Sequence, residues 1–370
     1  MSRSVPFFDY PRLYLDDEEL IHSILRDVGR RGAFIMQKDL RELEEQIAWY
    51  AKSKYAIGVA NATDGLELSW MSIGLEHGDE VIISSHTMLA TASAIVTAGG
   101  VPVPVDIDDE GLISPEAIEA AIGPRTVGIS PTHLNGRTCK MDQIVQIANR
   151  NGLAVVEDAA QALGSLFGGK QAGTFGVSSA ISFFPAKVLG CLGDGGIVLT
   201  NDEATYHSIY QLHDHGRDVD GSVKRWGRNS RLDNLQAALL SAKLKDYPAI
   251  VEKRRDLARK YHEALSACNE ILLPPHPDLP GRNFDVFQNF EVQSKYRDEL
   301  REHLSKNGVG TIIQWGGKAV HQWDCFNFNV KLPKTEKFFE DCMLLPMNIF
   351  LTEDDIWYIS ETISSFYQNR

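Results

Sequence analysis

Apolar residues along the first two thirds of this chain gather in short β-rich blocks separated by stretches of helical period. The blocks are YAIGVA (55–60), EVIISS (80–85), VPVPV (101–105), TVGISPTHL (126–134), LAVVEDA (153–159), SSAISFF (178–184) and GGIVLTN (195–201). Between the early blocks, LELSWMSIGL (66–75), SPEAIEAAI (114–122) and MDQIVQIANRN (141–151) place apolar side chains on one helical face. Strands alternating with helices predict an α/β domain: a mainly parallel sheet of about seven strands, flanked by helices. Runs such as LAVV, apolar without alternation, suit strands covered on both faces. No helical stretch separates the last two blocks, so one of that pair is expected to run antiparallel.

Beyond residue 231 the pattern changes. RLDNLQAALLSAKLKDY and IVEKRRDLARKYHEAL read as long amphipathic helices. After the proline-rich LLPPHPDLPG (272–281), further helices are expected near 296–306, 335–344 and 352–367. The change of pattern at KDYPAI divides a large domain, residues 1–247 with an N-terminal arm, from a smaller C-terminal α+β domain, residues 248–370.

Charge and cysteines narrow the function classes. With 37 Lys and Arg against 50 Asp and Glu the net charge is −13, which disfavours nucleic acid or an anionic membrane as partner. An anionic ligand therefore needs a local pocket of donors. The five cysteines lie far apart, odd in number and without a CxxC pair, which points to reduced thiols rather than a disulfide frame or a metal site. MSRSVPFFDYPRLYLDD lacks the apolar core of a signal peptide and no run has membrane-spanning length, so the expected location is the cytoplasm.

Candidate chemistry centres on SFFPAKVLGCLGDGG, residues 182–196, where Lys187 lies between an aromatic strand and four glycines. A dinucleotide site would need GxGxxG after the first strand, and NATDGLELSW lacks it; no stretch supplies a phosphate-binding GxxxxGK[ST] loop. A cofactor held by lysine fits better. VVEDAAQALGS ends a buried strand in Glu157 and Asp158, where carboxylates face the ligand crevice of a parallel sheet; taken singly, an aspartate there is more often a turn or helix cap. NATDG (61–65) opens a helix whose free N–H groups suit a phosphate, although Thr63 or Asp64 as a simple N-cap explains it too. Ser182 is either strand filler or a hydroxyl facing that phosphate. Lysines beside apolar residues usually snorkel to water. The glycines argue for close approach of a bulky group instead. Together the set suits pyridoxal phosphate, which needs an amine for a Schiff base, a carboxylate for its ring nitrogen and donors for its phosphate.

These segments also carry a resemblance. RGAFIMQKDLRELEEQIAWYAKSKYAIGVANATDGLEL, VVEDAAQALGS, SFFPAKVLGCLGDGGIVLTND, GRNSRLDNLQAALLSAKL and LLPMNIFLTEDDI resemble the DegT-type sugar aminotransferases, of the aspartate-aminotransferase-like fold type I. The resemblance implies that Lys187 carries the cofactor and shuttles the proton, that Asp158 pairs with the ring nitrogen, and that Gln161 bonds the ring hydroxyl. It implies a phosphate held by Ala62, Thr63 and Ser182, with Asn229 reaching the cofactor of a partner subunit, hence a homodimer with shared active sites. The reaction implied is amino transfer from L-glutamate to a ketone on a nucleotide-linked deoxy sugar. A keto-cyclitol acceptor, or a regulatory protein that keeps the fold without turnover, is the alternative. Cofactor-dependent dehydration is disfavoured, because that branch replaces the lysine with histidine.

Some positions depart from the family pattern. The usual Ser-Gly-Thr-Asp turn is Asn61-Ala62-Thr63-Asp64, and the aromatic residue that stacks on the ring is Met88, a thioether able to pack on a ring face, with His86 as a second candidate. In IIQWGGKAVHQW, Trp315 and His321 are expected to face the substrate.

Overall fold

Each of the seven apolar blocks folds as a strand in the computed structural model, which describes residues 3–281, 283–368 and 370. In chain order the strands are β1 (Tyr55–Val59), β2 (Glu80–Ser84), β3 (Val101–Val105), β4 (Thr126–Ser130), β5 (Ala154–Asp158), β6 (Leu166–Phe167) and β7 (Lys170–Gln171). They continue as β8 (Ser178–Ser182), β9 (Gly196–Thr200), β10 (Ile271–Leu272), β11 (Asn283–Phe284), β12 (Phe290–Ser294) and β13 (Cys342–Leu345). Among the described residues the main sheet has seven strands in the order β1-β9-β8-β5-β4-β2-β3. The pairs β2–β3, β2–β4, β4–β5 and β5–β8 are parallel. As expected from the missing helix, β8 and β9 form an antiparallel pair, and β9 also runs antiparallel to β1.

Two features escape the sequence pattern. Strands β6, β7 and β11 make a small separate sheet from two-residue segments, too short to leave a periodic signal. The helix expected over 335–344 is Pro333–Asp341, and its last residues are instead the strand β13, buried throughout and paired with β12. A short run apolar on every face does not distinguish helix from strand.

The helix Tyr247–Ala264 joins two apolar cores. Tyr247 and Val251 pack with Leu43, Ile47 and Leu240 against the main sheet. Two and three turns on, Leu257, Ala258 and Tyr261 join Phe290, Leu345 and Ile359 in the second core, which also takes in Val5 from the N-terminal segment.

The helix Ala62–Ser72 lies close on the sheet because Gly65 lets it: a Cβ there would sit 3.0 Å from the Cβ of Ala180. Its N-terminus meets the β8–β9 ladder where Gly196 pairs with Ser182. A Cβ on Gly196 would lie 2.6 Å from the carbonyl carbon of Asn61 and 2.8 Å from the nitrogen of Ala62. These are backbone atoms that cannot swing aside. We therefore expect Gly196→Ala to lower unfolding free energy by about 1–3 kcal/mol, the usual cost of overpacking, as measured by denaturant titration.

Candidate active site

Two adjacent carboxylates at the end of β5 meet different fates, because side chains on a strand alternate between faces. Glu157 is fully buried and accepts from the backbone N–H groups of Gly173 (2.8 Å), Phe175 (2.6 Å) and Gly176 (2.7 Å). His133 Nε2 lies 2.8 Å from its second oxygen, and His133 Nδ1 accepts the amide of Cys139, so the ring is a neutral Nε2–H donor to Glu157. Glu157 is a structural knot. Asp158 faces the other way. One oxygen accepts from Thr91 Oγ1 at 2.6 Å and the other from the amide of Ala160 at 3.1 Å. Thr91 also bonds Thr87, which bonds Thr132, each at 2.8 Å, so a buried hydroxyl chain holds the carboxylate.

Thr91 is in the first turn of the helix Leu89–Thr97, whose N-cap is Met88. That places the half-exposed Met88 thioether on the same helix end that orients Asp158. Gln161 follows Asp158 by three residues, and its Oε1 accepts the amide of Asn135 at 2.7 Å. An N–H can only donate, so this bond fixes the amide orientation and leaves the Gln161 NH₂ to donate elsewhere. Asn135 holds this position in the left-handed region, φ 58°, which asparagine tolerates.

At the start of the helix Ala62–Ser72, Asn61, not Thr63 or Asp64, is the cap: its Oδ1 accepts from the amide of Asp64 at 2.9 Å. Ala62 and Thr63 therefore begin the first turn, where backbone N–H groups lack helical partners. Ser182 stands beside them through Gly196, its ladder partner. Ser230 Oγ accepts the amide of Ala60 at 3.2 Å and ties the preceding residue down.

Lys187 lies in a tight turn closed by its own amide to the carbonyl of Phe184 at 2.8 Å. Burial pushes its amine down to about 8, with the Asp158 carboxylate partly opposing that shift. Two of its neighbouring glycines admit the chain's own backbone, while Gly190 and Gly193 also line, with Lys187, a cavity of about 710 Å³. Gly190 lets the chain pass the carbonyl of Pro185, where a Cβ would come within 2.8 Å, and Gly196 abuts Asn61.

The remaining expected residues divide. His86 is buried, donates from Nδ1 toward the carbonyl of Gly111 (2.8 Å), and packs beside Phe338, Phe339 and Trp315, ring centres 4.7, 5.1 and 5.7 Å away. His321 is buried with both nitrogens engaged, Nδ1 with Ser85 Oγ at 2.7 Å and Nε2 with Glu336 at 3.2 Å. Asn229 is exposed, on a loop where Val219, Val223 and Trp226 are also exposed. Residues not singled out from sequence, Thr91 and Asn135, prove to hold Asp158 and Gln161. Thr91 had one legible sign, standing one helical turn from Met88.

The residues fit pyridoxal phosphate: a desolvated amine, a buried carboxylate facing it, an amide with free donors, and a helix N-terminus flanked by a hydroxyl. The division between the two carboxylates is testable. Glu157→Gln turns one acceptor oxygen into an NH₂ that faces two donors, either the amides of Phe175 and Gly176 or the Gly173 amide and His133, and should cost about 2–3 kcal/mol of stability while the absorbance of the bound cofactor stays that of the wild type.

The chain is similar to known proteins over nearly its whole length. The chain is 34% identical over 98% of its length to a Pseudomonas aeruginosa UDP-2-acetamido-2-deoxy-3-oxo-D-glucuronate aminotransferase, which is covered completely. It is 36% identical to a "pleiotropic regulatory protein" of Geobacillus stearothermophilus, over 99% of both chains. Among solved structures, S. venezuelae DesV in complex with a ketimine intermediate superposes with a TM-score of 0.94 at 32% identity, over 99% of both chains. NtdA of Bacillus subtilis, solved with bound cofactor PMP, superposes at 0.88 and 30% identity over 98% of this chain and 85% of that one. Residues 15–364 match the DegT/DnrJ/EryC1/StrS aminotransferase family, and the chain belongs to that family of aminotransferases.

Proposed function

We propose that this aminotransferase moves an amino group from L-glutamate to a ketone on a nucleotide-linked deoxy sugar. The observation that carries the reading is Lys187, a desolvated amine in a fixed turn facing Asp158. The names of the relatives support the acceptor class, since they include UDP- and dTDP-sugar aminotransferases. Pyridoxal phosphate, when bound, would supply a carbonyl able to carry the amino group and a ring that serves as electron sink.

The chain's own residues then have separate tasks. Lys187 holds the cofactor through its amine and carries the proton between Cα of the donor and C4′ of the cofactor. Asp158, held by Thr91, keeps the ring nitrogen protonated. Gln161 donates to the ring hydroxyl. The turn at Ala62 and Thr63, with Ser182, takes the phosphate dianion against the −13 charge of the whole chain. Met88 covers one ring face. Trp315 and His321 lie toward the substrate side, where His86 packs as well.

The active unit is a homodimer in which Asn229 reaches the partner's cofactor. The exposed Val219, Val223 and Trp226 around it support a covered surface. The working location is the cytoplasm, in keeping with five unpaired thiols; among the described residues no helix is long and apolar enough to cross a membrane. A regulatory protein without turnover is the second reading, supported by the name of the 36% relative and by the altered phosphate turn.

Mixing the loaded enzyme with glutamate and keto-sugar nucleotides separates the two readings: 2-oxoglutarate and an amino sugar appear for a transferase, neither for a regulator. Lys187→Ala should lower turnover by at least about a hundredfold, the lower end of what general acid–base catalysis contributes. The amine must be neutral to attack the cofactor's aldehyde. Because it titrates near 8 rather than 10.5, cofactor uptake by the cofactor-free protein should quicken about tenfold per pH unit up to roughly pH 8 and level off above it, as followed by stopped-flow absorbance.

A further inference from the structure

A single side chain from outside the main sheet brackets Lys187. Gln288, 5% exposed, donates through Nε2 to the carbonyl of Ala186 at 2.8 Å. Its Oε1 accepts the amide of Val188 at 2.9 Å. These groups belong to the two peptide units on either side of the Lys187 Cα. One planar amide therefore engages both, much as a neighbouring strand pairs with a single residue, and it restrains φ and ψ of the lysine. Among uncharged side chains, only a primary amide offers donor and acceptor in one such fork.

Gln288 is itself held firmly. Phe287 before it adopts φ 50°, a left-handed conformation rare for a bulky residue, and so turns Gln288 toward the lysine turn. The buried guanidinium of Arg254 fastens this backbone, with Nε donating to the carbonyl of Phe287 at 2.7 Å and Nη2 to that of Gln288 at 2.6 Å. Phe287 and Phe290 belong to the second core. The next residues of the segment serve the other side of the site: Asn289 donates to Asn135 Oδ1 at 2.8 Å, and Asn135 Nδ2 donates to Glu291 at 2.6 Å.

We propose that Gln288 is a positioning residue that aims the Lys187 amine, an inference that rests on the reading of Lys187 as the cofactor-bearing lysine. The amine must reach the cofactor for linkage and then pass a proton over a short distance, and both depend on the direction in which the Cα presents its long side chain. Gln288 touches neither cofactor nor substrate in this scheme. It acts through the backbone of Lys187.

Two variants test it in the loaded protein. Gln288→Met keeps the length and removes both bonds; kcat should fall about ten- to a hundredfold, the scale of a misplaced catalytic group, with KM for glutamate within about twofold. The pH midpoint of the cofactor's visible absorbance, read without turnover, should move from the wild-type value. Gln288→Glu keeps the acceptor for Val188 but sets a carboxylate oxygen against the Ala186 carbonyl, so its kcat should fall at least as far, and it serves as the test if the Met variant does not fold. Wild-type kcat and absorbance midpoint in Gln288→Met, with only a lower unfolding temperature, would overturn the proposal. Lys187→Ala is the control: if that variant stays active, the assignment of Lys187 itself fails, whereas an inactive Lys187→Ala beside unaltered Gln288 variants defeats only the positioning role.

Discussion

A half-buried lysine amine beside a buried carboxylate is the constraint on which the rest of this structure depends. Lysine loses charge stabilisation when it is desolvated, and Lys187 titrates near 8 for that reason even with Asp158 opposing the shift. Such an arrangement persists only where neighbouring structure determines it. Here the sheet does so. Strand β5 ends at Asp158 and pairs in parallel with β8, whose far end at Ser182 leads within five residues to Lys187. The hydroxyl chain through Thr91, Thr87 and Thr132 prevents Asp158 from turning away.

The same geometry explains why one pair of strands breaks the parallel rule. A helical crossover after Ser182 would carry the chain away from the crevice. The tight turn and the antiparallel return of β9 keep it there, and Gly196 brings the returning strand against Asn61 and Ala62. Amine, carboxylate and helix N-terminus thus converge through three neighbouring strands. The helix N-terminus also answers the charge problem. A protein of net charge −13 repels a phosphate dianion at long range, but that field is screened within about a Debye length. Unpaired N–H groups act at contact distance.

Much of this was legible in the sequence, and the part that was not has a common cause. The seven strands follow from runs of apolar residues, and Lys187, Asp158 and Ser182 stand out by their chemistry at strand ends, whereas Gln161 was implied only by the family resemblance. Periodicity reports only which face a residue occupies. It is silent on which distant segment meets that face. Thr91 is 67 residues from Asp158, and Gln288 is 102 from Ala186. Both are ordinary polar residues in their local sequence. Adjacent Glu157 and Asp158 look alike in sequence, and only the opposite faces of β5, one meeting the amides of Gly173, Phe175 and Gly176, separate a structural carboxylate from a chemical one. The glycines after Lys187 were equally ambiguous: they signal close approach, and at Gly190 and Gly196 the approaching groups are the protein's own backbone, while Gly190 and Gly193 line a cavity beside the lysine.

The division of labour between the two cores follows from what each can supply. The main sheet brings reactive groups to one edge, but side chains at strand ends and in turns have backbone freedom on their outer side. Constraint has to come from a second body. The segment Phe287–Glu291 provides it, entering β12 while reaching the turns that hold Lys187 and Asn135. Arg254 anchors that segment from the helix Tyr247–Ala264, which is itself packed into both cores. A shift of the second core against the sheet would therefore move the supports of Lys187 and Gln161 together. Precision at this site is a property of the contact between the two cores, and the sheet alone does not contain it.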